Sequence, residues 1–179
     1  GGLAIALNAG IAPARITVHC NDEAAYTRYG VQAGVGRLVI RSQDQLDTIT
    51  DCPQSTPRVL IDLSVCPDPH LAMRIVASAH LELIGIHQRL DAVAGSTETS
   101  VGAMIAGIAC LRGRYGHLVT RLSFAGVAAI QDDLTPGPLR ASAEELEATV
   151  EDACARFRYP RPALVFAMQD IDSTRTGTC

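Results

Sequence analysis

Residues 58–64 read Arg-Val-Leu-Ile-Asp-Leu-Ser, and residues 81–87 read Leu-Glu-Leu-Ile-Gly-Ile-His. Each is a short run of aliphatic residues that closes on a polar side chain. Such runs are shorter than an ordinary helix and too continuously apolar for a strand with one wet face. They read as strands covered by helices, the pattern of a parallel sheet. Four more runs share this character: 15–20 (RITVHC), 37–41 (RLVIR), 118–124 (LVTRLSF) and 163–168 (ALVFAM).

Helical stretches fill the intervals. Residues 21–33 open on Asn21, a capping residue, and stop at Gly34, while 43–50 follow another capping residue, Ser42. Residues 69–78 begin with Pro69, where a missing N–H costs little, and 97–115 end at Gly116. Residues 142–156 open with Ser-Ala-Glu-Glu, a capping-box pattern with acids at the positive end of the helix dipole. Residues 131–140 (QDDLTPGPLR) read as a loop. This alternation predicts an α/β fold with right-handed crossovers, either doubly wound or barrel-like, and periodicity does not choose between them. Val18, Val39, Leu60, Leu83 and Ile86 are expected in buried strand positions.

The chain has 179 residues, enough for one domain with a real core, and at 47% hydrophobic and 19% charged it belongs to the globular class. A net charge of −4 and the lack of a basic aromatic patch argue against nucleic-acid binding. No stretch approaches the ~20 apolar residues that cross a bilayer, and the opening residues lack a basic segment and cleavage site, so the reading is cytoplasmic. Six cysteines are spread without CxxC pairing and read as reduced thiols rather than a disulfide or zinc framework. All 15 basic residues are arginine; there is no lysine. A guanidinium stays protonated and is a poor nucleophile, so no side chain here can form an imine with an aldehyde cofactor.

Several phrases add a resemblance. They are Gly-Leu-Ala-Ile-Ala-Leu-Asn-Ala-Gly at 2–10, Pro-Ala-Arg-Ile-Thr-Val-His-Cys-Asn at 13–21, Ala-Gly-Val-Gly-Arg-Leu-Val-Ile-Arg-Ser at 33–42 and His-Leu-Glu-Leu-Ile-Gly-Ile-His at 80–87. In this order they resemble the barrel of pyridoxal-phosphate (PLP) decarboxylases of fold type III, the alanine-racemase-like fold, and diaminopimelate decarboxylase most of all. The resemblance runs to about Met168. It implies a partial TIM (β/α) barrel of about six parallel strands over residues 1–170, while 171–179 read from their polar composition as a flexible tail. The family's first two strands, one of them bearing the Schiff-base lysine, and its C-terminal β-domain have no counterpart in this alignment.

The resemblance also locates the family's cofactor contacts. Its ring-stacking histidine falls on Arg89, and the Gly-Ser that follows falls on Asp91 and Ala92. The phosphate-loop glycines fall on Ala125-Gly126-Val127, where side chains would hinder backbone approach to a phosphate. The phrase whose acid pairs with the pyridine nitrogen falls on 167–170, and the family's Lys-Phe-Gly loop has no counterpart between Val65 and Pro69. On this mapping no cofactor-binding residue remains and no PLP is expected. Where the family has Asp at the end of one strand and Arg in the next, this chain has Arg41 and Asp62, which would either keep an ion pair with its signs reversed or be two independent solvent-facing changes.

Active sites of barrels sit at the C-terminal ends of the strands. Here those ends offer His19, Cys20, Arg41, Asp62, His87, Arg89, Asp91 and Ser123. The candidate set for catalysis is His87, Arg89, Arg41 and Asp62, fit for acid–base work on an anionic substrate. A His19–Cys20 pair is sterically disfavoured, since adjacent strand residues face opposite ways. His70, His80 and His117 are expected at the surface, and no metal site is expected, Asp132-Asp133 included. Two functional readings follow from the resemblance. One is a degenerate decarboxylase homologue that forms no PLP Schiff base and acts as a non-catalytic partner or regulator, in a homo-oligomer or in a hetero-oligomer with a related decarboxylase. The alternative is a PLP-independent isomerase, cyclase or lyase acting on a small anionic substrate at the barrel mouth. A decaying gene product without a role is a third.

Overall fold

A computed structural model describes residues 2–52, 56–64, 69–90, 96–125 and 136–166, with only the backbone at 69 and 136–139. Helix α1 (Gly2–Asn8) leads through a short 3₁₀ turn (Pro13–Arg15) into strand β1 (Thr17–His19). Then α2 (Ala24–Gln32), β2 (Arg37–Ile40), α3 (Gln43–Thr50), β3 (Arg58–Asp62) and α4 (Pro69–Ala77) alternate. The series ends with β4 (Glu82–Arg89), α5 (Thr97–Tyr115), β5 (Arg121–Ala125), α6 (Pro136–Phe157) and β6 (Ala163–Phe166).

The six strands lie in the order β1-β2-β3-β4-β5-β6, every neighbouring pair parallel. A doubly wound sheet reverses its strand order at a switch point and so covers both faces with helices. A strictly sequential order sends every right-handed crossover over the same face. That resolves the choice left open by periodicity: this is a partial barrel.

The two faces of the sheet are built differently. Leu38, Ile40, Val59, Ile61, Ile86, Leu122 and Phe124 face the helices and pack with Leu46, Ile49, Leu71, Ile75, Ile105 and Val150 in one continuous core. Each such burial contributes about 1.5–3 kcal/mol. The opposite face carries a separate small cluster, Val39, Leu60 and Ile84. Val18, Val39, Leu60, Leu83 and Ile86 are all buried in strands, as expected from sequence.

A bulge separates Val59 from Leu60: Val59 pairs with Leu83, whereas Leu60 pairs with Gly85. Ile84 and Gly85 therefore both lie against the concave face, two residues where one is usual. A Cβ on Gly85 would stand 2.8 Å from the Arg121 carbonyl oxygen and 3.0 Å from Leu60 Cδ2. Only glycine leaves room for this crossing.

Several boundaries differ from expectation for physical reasons. Helix α2 begins at Ala24, not Asn21, because Asn21 Oδ1 accepts the Glu23 amide (3.1 Å) in a turn ahead of the helix. Helix α6 begins at Pro136, so Ser142-Ala-Glu-Glu lies inside it and 136–140 are helical rather than loop. Proline at the first helical position starts the helix before the capping pattern is reached. Residues 15–16 precede β1 because Pro13–Arg15 form the 3₁₀ turn. The ends of α3 and α5 agree: Ser42 Oγ accepts Gln45 N (3.3 Å), Ser96 Oγ accepts Thr99 N (3.2 Å), and Gly116 closes α5 at φ 67°. The tail 171–179, residues 131–135 with Asp132-Asp133, and Asp91 lie outside the described residues.

Candidate functional site

Strand alternation and register decide which side chains can meet at the C-terminal edge of the sheet. Asp62 on β3 stands opposite His87 on β4, and His87 stands opposite Ser123 on β5. Their neighbours Ile61, Ile86 and Leu122 face the helices, so these three face the concave side. His87 is buried, and its Nδ1 lies 3.1 Å from Ser123 Oγ. The ring of His19, at the end of β1, meets His87 edge-on with centroids 4.5 Å apart. His19, Asp62, His87 and Ser123 thus share one end of one face.

Asp62 and Arg89 are joined through Ser64. Asp62 Oδ1 accepts the Ser64 amide (2.8 Å), and Ser64 Oγ accepts the Arg89 amide (2.7 Å). These bonds fold the chain after β3 back onto the end of β4. Arg89 is half-buried and stands opposite Ala125.

Arg41 does not join this group. Its guanidinium lies 2.9 Å from Asp22 Oδ1, in the loop after β1, and both side chains are exposed. The expected reversed ion pair with Asp62 is therefore corrected: Arg41 pairs with Asp22, and Asp62 serves the Ser64 turn. A long side chain just past a strand end reaches the loop more readily than the neighbouring strand. An exposed pair of this kind is worth about 0–1 kcal/mol.

The sequence reading missed Gln45. Its side chain is buried; Oε1 accepts the Arg41 amide (2.8 Å), and Nε2 donates to the carbonyls of Cys20 (3.2 Å) and Asn21 (3.1 Å). It thereby ties the ends of β1 and β2 to the start of α3. The signal was present as Ser42-x-x-Gln45, a capping-box spacing whose glutamine reaches back along the chain.

Cys20 is buried, and burial pushes its thiol up to about 11. It is an inert packing thiol, not a nucleophile. Cys52, Cys110 and Cys154 are also free, and no group of metal-ligating side chains occurs among the described residues. His70 and His80 are exposed, as expected. His117 differs, being half-buried with Nε2 2.6 Å from the Leu83 carbonyl.

No family model matches the sequence. The diaminopimelate decarboxylase of Mycobacterium tuberculosis is 26% identical over 205 residues, an alignment covering 92% of this chain and 45% of that protein. Among solved structures, diaminopimelate decarboxylase from Helicobacter pylori superposes with a TM-score of 0.66 at 15% identity, covering 92% of this chain and 48% of its own. The chain is related to the diaminopimelate decarboxylases. Ornithine decarboxylase from Entamoeba histolytica shares the fold as well, at a TM-score of 0.65, 14% identity, 92% of this chain and 48% of that one. The chain thus carries part of a fold type III barrel and spans about 45% of the length of the curated relatives it matches.

The relation brings PLP chemistry into question at this edge of the sheet. No side chain of these 179 residues offers a primary amine, so the residues present do not fit a Schiff-base cofactor. Arg89 stands where the resemblance would place a ring-stacking histidine, and Gly126-Val127 lie outside the described residues.

Proposed function

We propose that this chain works by association: it is a decarboxylase-related half-barrel that forms no PLP Schiff base itself and modulates or completes a related decarboxylase. The observation that carries this reading is a well-packed family core beside a chain without lysine. The edges of the sheet support it: β1 pairs only with β2 and β6 only with β5 among the described residues. Parallel edges offering unpaired backbone groups are surfaces that another chain can extend. The test is to titrate the purified chain into an active diaminopimelate or ornithine decarboxylase from the same host. A saturable change in that enzyme's rate supports the reading. No change, with no complex on a sizing column, contradicts it.

A second reading keeps the C-terminal edge as a PLP-independent acid–base site for a small anionic substrate. The His87–Ser123 contact, with His19 and Asp62 alongside, supports it. Turnover of a small carboxylic acid without cofactor, abolished by His87→Ala, would favour this reading over the first.

A further inference from the structure

Away from the His87 edge, at the N-terminal end of the strands, the concave face carries a group of arginines. Arg37 lies two residues before Val39, and Arg58 two residues before Leu60, so both share the face of that inner cluster. Register sets them side by side, since Leu38 and Val59, the residues after them, are paired. Arg121 joins the same face. Its Cβ would be 3.1 Å from a Cβ on Gly85, on the side where Leu60 also approaches. Its ladder partners are Gly85 and Ala163, two of the smallest residues, which leaves its long side chain free to lean across the sheet.

Charge in this group is not balanced. Glu82 pairs with Arg58 at 3.1 Å, but Arg37 and Arg121 have no ion pair or hydrogen-bond partner on their side chains among the described residues. Three guanidinium groups against one carboxylate leave two positive charges in excess. Arg37 and Arg121 are both half-buried, so solvent only partly screens them. The guanidinium of Arg37 is held below its ordinary value by burial, then by Arg121, then by Arg58. Arg37 on β2, Arg58 on β3 and Arg121 on β5 thus line the same concave face of the sheet, with Glu82 paired to Arg58.

We propose that Arg37 and Arg121, with Arg58 at the rim, form a binding site for a small doubly charged oxyanion, a phosphate monoester or a dicarboxylate. Guanidinium groups present planar pairs of donors that match carboxylate and phosphate oxygens two at a time. An anion between them replaces their repulsion with attraction on both sides. The site is separate from the His87 edge and independent of the partner reading above.

The test is thermal unfolding of the full chain in chloride buffer, with inorganic phosphate or succinate added at constant ionic strength. At saturation either anion raises the wild-type midpoint by about 5 °C or more, and the double variant Arg37→Gln/Arg121→Gln loses that rise. In chloride alone the double variant melts at or above the wild type, because the repulsion is gone. Which anion acts more strongly separates the phosphate class from the dicarboxylate class. A rise no greater than chloride gives for both anions, or an equal rise in the variant, overturns the proposal. Calorimetric titration of the wild type provides a readout that needs no variant: one phosphate or succinate per chain is expected, and no binding of either overturns it.

Discussion

Nδ1 of His87 lies 3.1 Å from Oγ of Ser123, across the β4–β5 ladder at the C-terminal edge of the sheet. The bond lies in a buried setting, where a hydrogen bond contributes about 0.5–1.5 kcal/mol net. Ser123→Ala is expected to lower stability by about 1 kcal/mol without altering the fold, as read by denaturant unfolding with an unchanged m-value. If the edge is an acid–base site, the same variant also lowers turnover by changing the orientation of the imidazole. A loss of stability with no turnover to lose fits the association reading.

Tyr159 fastens the start of β5. Its hydroxyl accepts the Val119 amide (2.8 Å) and donates to the Val119 carbonyl (2.9 Å), both in the interior. Tyr159→Phe leaves both backbone groups without that partner and is expected to cost about 1–3 kcal/mol. Equilibrium unfolding measures it; a loss below about 0.5 kcal/mol would mean that water replaces the phenol.

Two glycines are required by close approach. A Cβ on Gly36 would stand 2.0 Å from the Ala14 carbonyl oxygen, and its amide donates to the Pro13 carbonyl (2.9 Å). At Gly85 the obstruction is the Arg121 carbonyl at 2.8 Å. Backbone atoms do not move aside cheaply, so Gly36→Ala is expected to destabilise by about 3 kcal/mol or more, and Gly85→Ala by about 1–3 kcal/mol. Thermal melts should rank them in that order, and equal melting points would refute the packing described.

The architecture was legible in sequence because apolar runs and caps report directly on buried strands and helix ends. Residues 97–115 with Gly116 and 43–50 with Ser42 agree with α5 and α3 to the residue. The start of α6 was not legible, because Pro136 and the pattern at Ser142 both signal a start and only packing ranks them. At the site, His19, Asp62, His87 and Ser123 were legible as residues of the C-terminal strand ends, where barrels build their sites, but their common face emerged only from the strand register. The partner of Arg41 was not, because a flexible side chain chooses among carboxylates by distance, and Asp22 became near only through the turn at Asn21. The glycine at the bulge was equally hidden, as nothing local shows that Arg121 crosses there.

The thiol of Cys20 makes stability depend on pH in the alkaline range. Its folded value, about 11, lies above the ordinary 9.0 because of burial. A raised value means the folded state holds the proton more tightly. The contribution is whole below pH 9.0 and is lost as pH rises through about 11. The loss amounts to about 2–3 kcal/mol. Burial also raises Tyr26 and Tyr159, so Cys20→Ala should reduce the alkaline slope without abolishing it. Peptide-resolved alkylation at neutral pH should label exposed Cys110 well before Cys20. Early labelling of Cys20 would contradict its burial.

The most direct test of the central claim is native mass spectrometry of the untagged chain purified from its own host. The association reading predicts a complex whose mass equals this chain plus a longer decarboxylase-related chain, with no covalent PLP adduct on any side chain of the 179 residues. A lone chain that turns over a small acid without cofactor, and forms no complex at any concentration tested, would contradict it.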